Sequence, residues 1–138
     1  MNNFFSPAPL YQQTGIGILR IITGLLLVYH GMELFNSETM KGYTTWDSLK
    51  TSPWLPYAGK AAELLAGILL SVGLFTRLSC LVVIATFIFI TFFVGGGKFW
   101  YEDQHPFMFI LISLVFIFTG PGNFSVDEWR MHHKKIAS

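Results

Sequence analysis

The sequence predicts an all-α integral membrane protein: a four-helix bundle of antiparallel up-down topology with a short C-terminal interfacial helix. Three observations carry this expectation. Only 12% of the 138 residues are charged, 52% are hydrophobic and the mean hydropathy is +0.51, whereas a soluble domain carries roughly 25% charged residues. The 14 Phe, 4 Trp and 5 Tyr exceed what so small a globule can bury, because small domains have too much surface for their volume. Finally, four stretches approach the ~20 apolar residues a helix needs to cross a bilayer core of about 30 Å, and none alternates as barrel strands do. These features exclude an ordinary soluble enzyme. The single cysteine, Cys80, excludes a disulfide scaffold, and a net charge of +1 with scattered basic residues gives nucleic acid no electrostatic footprint.

The whole chain, 1–138, reads as a single membrane domain. The first span, about residues 15–35, contains Arg20, His30 and Glu33. It is not expected to be a cleavable signal peptide, since Met1 to Gly15 holds no Lys or Arg and no convincing cleavage site. Pro53 and Pro56 lead into the second span, about 57–75, which carries Lys60 and Glu63. The third, about 78–97, is uncharged and closes on Gly95-Gly96-Gly97. The fourth, about 104–120, stops at Gly120-Pro121-Gly122, where proline cannot continue a helix. In the tail, 121–138, Ser125-Val126-Asp127-Glu128 reads as a capping box. It opens a helix whose Trp129, Arg130, Lys134 and Lys135 suit the headgroup region.

Four spans put both termini on one side. Arg20, Arg77, Arg130, Lys134 and Lys135 fall on that side, and Lys41, Lys50, Lys60 and Lys98 on the other. The basic tail beside its helix favours cytoplasmic termini in a bacterial inner membrane. The antiparallel path then brings His30, Glu33, Glu63, Trp100 and His105 toward the outer face. Ionisable residues in spans are costly and mark functional candidates. His30 and Glu33 are three apart and share a helix face. Glu63, Gly67 and Ser71 recur every four residues, which turns the carboxylate toward a close helix contact, about 9 Å past Tyr57 along the axis. Gly17, Gly24 and Gly31 recur every seven and form a similar seam. A bland reading competes for each: His30 and Glu33 as helix-end residues, Glu63 paired with Lys60 or His30 as a structural bridge, His105 as a helix-entry residue before Pro106.

Several local patterns resemble the DoxX family of small four-helix membrane proteins. They are Leu19-Arg20 with Gly24 and His30-Gly31, then Glu63-Leu64-Leu65-Ala66-Gly67, then Gly73-Leu74-Phe75-Thr76-Arg77, and finally Thr119-Gly120-Pro121-Gly122-Asn123-Phe124-Ser125-Val126-Asp127. The resemblance covers about residues 15–128. It implies an integral membrane protein; some members of the family are subunits of a thiosulfate:quinone oxidoreductase, and others partner membrane oxidoreductases that handle thiol or oxidative stress. Where relatives often carry a lysine after the His-Gly pair, this chain has Glu33 and Leu34. The motif residues also suggest a structural staple in which Arg20 or Arg77 pairs with Asp127 across the terminal face.

The chemistry open to these residues is narrow. Cys80 lacks the partner that membrane disulfide chemistry needs. One His30-x-x-Glu33, in reversed order, is too few ligands for a di-iron site, so no metal is expected. Two histidines, His30 and His105, without any other haem signature argue against haem. Apolar walls with a few converging polar groups suit a quinone headgroup, with His30 or Glu63 bonding its carbonyls and Trp100 or Tyr101 stacking on the ring. The expected role is a non-metal subunit of a quinone-linked oxidoreductase complex, accessory rather than an enzyme by itself, with partner subunits or a second copy beside it. A ligand-free scaffold and a small solute carrier remain as alternatives.

Overall fold

The computed structural model describes residues 8–137, with side chains to Lys134; Met1–Pro7, the Lys135 side chain and Ser138 lie outside the described residues. Among the described residues the structure is all helical. Six α-helices follow in order: α1 Gln12–Gly31, α2 Ser37–Thr44, α3 Leu55–Val72, α4 Thr76–Phe89, α5 Gln104–Thr119 and α6 Val126–Ala137. A 3-10 turn, Met32–Phe35, extends α1, and a π-helical turn, Ile90–Val94, extends α4. With these extensions three helices are long and apolar enough to cross a membrane: Gln12–Phe35, Leu55–Val72 and Thr76–Val94. The fourth expected span is shorter, the 16 residues of α5, because Asp103 and Gly120 bound it tightly.

The surface is inverted relative to a soluble protein. Leu19, Leu65, Leu78, Phe93 and Phe118 are exposed on the helices, while Arg20, Glu63, Ser79, Thr91 and Ser113 are buried. Apolar bulk outside and polar groups inside suit a hydrocarbon solvent. The α1–α3 seam shows how small residues permit this. A Cβ on Gly67 would lie 2.7 Å from the Val28 nitrogen, and one on Gly31 would lie 2.5 Å from the Leu64 nitrogen. Gly24 meets Ser71 while Gly31 meets Leu64, so residue numbers rise along one helix as they fall along the other. Phe87 of α4 stacks on Phe109 of α5, ring centroids 5.0 Å apart, and Leu27, Ala66, Leu70, Val83 and Phe116 complete the core.

The terminal face is held by a staple, but not the one expected. Asp127 makes no ion pair with Arg20 or Arg77 among the described residues. Its carboxylate instead accepts from the Phe75 and Thr76 backbone N–H groups at 3.0 and 2.8 Å, capping the first turn of α4. Those donors have no partner inside their own helix, and an anion is favoured at a helix N-terminus, which is why they outcompete an arginine. Arg20, fully buried, spends its guanidinium on main-chain carbonyls. Nε donates to Pro121 (2.8 Å), Nη1 to Leu70 and Ser71 (2.5 and 2.8 Å), and Nη2 to Phe124 (2.8 Å) and Asn123 (3.4 Å). All five donors of the fork are thereby used. The carbonyls of Leu70 and Ser71 belong to the last turn of α3, where helices run short of donors; that of Leu70 also accepts from the Gly73 N–H at 3.2 Å.

The glycine turns exist to admit this side chain. Gly73 has φ 68°, and a Cβ there would come within 2.8 Å of Arg20 Nη1 and also strike Ser125. Asn123 N–H donates to the Gln13 carbonyl at 2.9 Å, tying the turn after α5 to the start of α1. Half of the expected capping box forms: Glu128 N–H donates to Ser125 Oγ at 3.1 Å, whereas the Glu128 carboxylate lies toward His132 instead of returning to the Ser125 N–H.

Candidate functional site

At the opposite end of α1 and α3 a cluster of ionisable side chains assembles. Lys60 and Glu63 are three apart on α3, and the Lys60 ammonium reaches Glu63 at 3.0 Å and Glu33 at 3.1 Å. Glu33 sits in the 3-10 turn ending α1. Its second neighbour is His30, with Nδ1 3.9 Å from the carboxylate. The ring of His105, in the first turn of α5, is 5.2 Å from the His30 ring, edge to face. Exposure is graded through the cluster: the Glu63 side chain is 2% exposed, that of Lys60 14% and that of Glu33 30%.

The residue that closes the cluster is Tyr43. Its hydroxyl donates to Glu33 at 2.6 Å, and its ring lies 5.5 Å from the Lys60 ammonium. Burial, reinforced by the accepting Glu33 carboxylate, pushes the Tyr43 phenol above its ordinary range, so the hydroxyl stays a donor at neutral pH. Tyr43 is delivered by α2, a helix the span reading passes over. The signal for α2 is present: Asn36 accepts from the Glu38 and Thr39 N–H groups at 3.1 and 3.2 Å, the pattern of an Asn N-cap. Met40 and Leu49, both buried, anchor this segment against the rest.

Of the five residues singled out as ligand candidates, the structure brings together His30, Glu33, Glu63 and His105. Trp100 does not join them. It is 67% exposed and packs edge-on against Phe99, centroids 5.0 Å apart, because the 95–103 link folds on itself. There Asp103 accepts from the Lys98 N–H at 2.9 Å, and the Gly95 N–H closes the π turn onto the Ile90 carbonyl at 2.7 Å. Lys60, outside those five, bridges both glutamates, and its three-residue spacing from Glu63 is the sequence signal for that role.

Beside the cluster, a cavity of about 430 Å³ opens between α3, the segment after α2, and the π turn of α4. Its walls are mostly apolar, with Trp46, Leu49, Ala85, Phe89 and Ile90 prominent, and Lys60, Glu63 and Tyr43 supply its polar edge. π turns occur disproportionately at functional sites because the extra residue re-aims the side chains after it. Among the described residues no group of three or more His, Cys, Asp or Glu is placed to hold a metal ion.

Comparison with known proteins follows the same lines. The family model DoxX matches residues 15–96, and the model described as TQO small subunit DoxD matches residues 59–137. An uncharacterized protein of Haemophilus influenzae is 27% identical over 135 residues, covering 93% of this chain and 96% of that protein. No solved structure matches. The first model alone spans more than half of the 138 residues and includes the α1–α3 seam, Arg20 and the Lys60–Glu63 pair. The chain is a membrane protein belonging to the DoxX family.

Proposed function

We propose that the chain is an accessory, non-metal membrane subunit of a quinone-linked oxidoreductase complex, and that it holds a quinone headgroup in the cavity beside Lys60 and Glu63. Its fold is then an antiparallel four-helix bundle in which α1, α3, α4 and α5 cross a bacterial inner membrane and both termini face the cytoplasm. The short α5, about 24 Å long at 1.5 Å per residue, fits this reading because irregular backbone at membrane depth is tolerated where protein covers it, as at Gly120–Asn123. The DoxD description, a small subunit, supports a multi-subunit setting.

The observation that carries the ligand is the pairing of a 430 Å³ apolar cavity with a half-buried ammonium and a buried carboxylate at its edge. Apolar pockets of about 300–1,000 Å³ with a few convergent polar groups are ligand sites by their physics. A quinone offers a flat apolar ring and two carbonyl acceptors. Lys60 is the donor for one carbonyl, Glu63 holds a proton-exchange position beside it, and Trp46 provides an aromatic wall. His30 and His105 connect the cluster outward, and Trp100 has no part in the contact.

Equilibrium binding of a short-chain ubiquinone to the detergent-purified protein tests this. We expect saturable binding that falls at least tenfold in Lys60→Met, and disappears in Ala85→Phe, which fills the cavity from α4 without touching the ion pairs. Absence of binding by the wild type, or equal binding by both variants, overturns it. A second reading, a ligand-free scaffold, is favoured by the pairing of Lys60 with both Glu33 and Glu63; it predicts no binding and loss of partner subunits when the cluster is altered.

A further inference from the structure

We infer that the terminal face carries a binding site for the headgroup of an anionic phospholipid, formed by Arg77, Arg130 and Lys134. These three cations line one open groove of about 680 Å³, where the start of α4, the end of α5 and the outer side of α6 meet. Among the described residues none of the three makes a hydrogen bond or ion pair through its side chain; the Arg130 guanidinium instead lies 5.8 Å from the centre of the Phe75 ring. The two carboxylates of the same groove are already engaged. Both Asp127 oxygens accept from the first turn of α4, and Glu128 sits 3.9 Å from His132. Three cations against two carboxylates leave the groove net positive, and among the described residues no ion pair joins those carboxylates to Arg77, Arg130 or Lys134.

The rest of the groove selects the kind of anion. Phe75, Leu78 and Met131 flank the cations and are each more than half exposed, and Leu78 begins the outer apolar face of a membrane-length helix. A free phosphate ion leaves that apolar wall unused. A phosphodiester bearing acyl chains uses both parts: the guanidiniums fork onto the phosphate oxygens, and the chains run along Leu78. Trp129, 59% exposed on α6, is the aromatic type that settles at headgroup depth. Basic pockets between membrane helices take lipid headgroups at about 1 kcal/mol per cation. The inference rests on these helices being embedded in a bilayer, and not on the cavity or on any redox role.

Native mass spectrometry of the full chain, released from mild detergent with matched-chain phosphatidylglycerol or phosphatidylcholine, reads the site directly. We expect phosphatidylglycerol to be retained preferentially, about fivefold less in Arg77→Gln and in Arg130→Gln, with Lys41→Gln at the other end unchanged and millimolar inorganic phosphate failing to compete. Equal retention of the two lipids, retention unaltered in the double arginine variant, or displacement of the lipid by inorganic phosphate overturns it. A chain that remains in the membrane fraction yet shows no lipid preference defeats this inference alone. One that partitions into the aqueous fraction defeats the bilayer reading as well. The arginine variants leave every bond of Arg20 and Asp127 in place, so an unchanged thermal transition separates lost lipid from lost fold.

Discussion

At one end of α1, Arg20 gives all five of its N–H donors to carbonyl oxygens of two chain segments, the end of α3 and the turn after α5; at the other end of the same seam, Lys60 divides its ammonium between Glu33 and Glu63. In the first arrangement no hydrogen-bond partner of the cation is titratable. Its acceptors are backbone dipoles at helix ends, which cannot be protonated and move only if the helices move. The second is built from side chains that exchange protons, is graded from buried to half-exposed, and borders an apolar cavity. The same cost, a cation removed from water, is met by fixed dipoles where the chain needs a joint and by ionisable partners where chemistry has room to occur.

Substitutions at the two ends should therefore separate stability from ligand binding. The largest effect is expected for Arg20→Ala, which strands up to four carbonyls, since that of Leu70 keeps the Gly73 N–H, and opens the joint; about 3–5 kcal/mol is the usual loss when one side of a buried charged network is removed. Arg20→Lys should recover little, because three donors cannot serve five acceptors. Thermal unfolding in detergent checks both, and a transition within a few degrees of wild type would show that the joint is not fastened there. Lys60→Met comes next, at about 1–3 kcal/mol, since Glu33 keeps Tyr43 and partial solvent; its larger signature is the loss of quinone binding. Asp127→Ala removes the α4 cap and should cost about 0.5–2 kcal/mol, with ligand binding intact. The smallest is Tyr43→Phe, about 1 kcal/mol, read by the same thermal assay. Should Tyr43→Phe exceed Asp127→Ala, the contrast between a rigid end and an adaptable end is wrong.

Much of the helical layout is legible in the residues themselves. Gly95–Gly97 and Gly120-Pro121-Gly122 end helices for the local reasons that proline and glycine always supply, and Ser125 with Glu128 announces the start of α6. The Glu63-Gly67-Ser71 stripe faces α1, because only small residues let two backbones approach so closely. Other features had no pattern to read. Arg20 bonds to main-chain carbonyls, and every residue has one, so nothing in the side-chain sequence marks Pro121 or Phe124 as its partners. An arginine and an aspartate near one face suggest a pair, yet the free N–H groups of a helix start are the nearer and better-aligned claimants on Asp127. Tyr43 reaches Glu33 only because α2 doubles back, and a short polar helix leaves little periodic signal. Trp100 lies near His105 in the chain, but the self-bonded 95–103 link turns it outward.

The reach of Arg20 also orders events during synthesis. Its acceptors at Pro121 and Phe124 lie 101 and 104 positions downstream, so a ribosome that has completed the first helix still has most of the message to decode before those oxygens exist. Until then only the Leu70 and Ser71 carbonyls can engage the guanidinium, and Nε and Nη2 lack the acceptors they have in the finished fold. The joint at Arg20 is therefore complete only once the segment after α5 docks against α1, and a chain truncated before residue 121 would leave three of its five N–H donors without these partners.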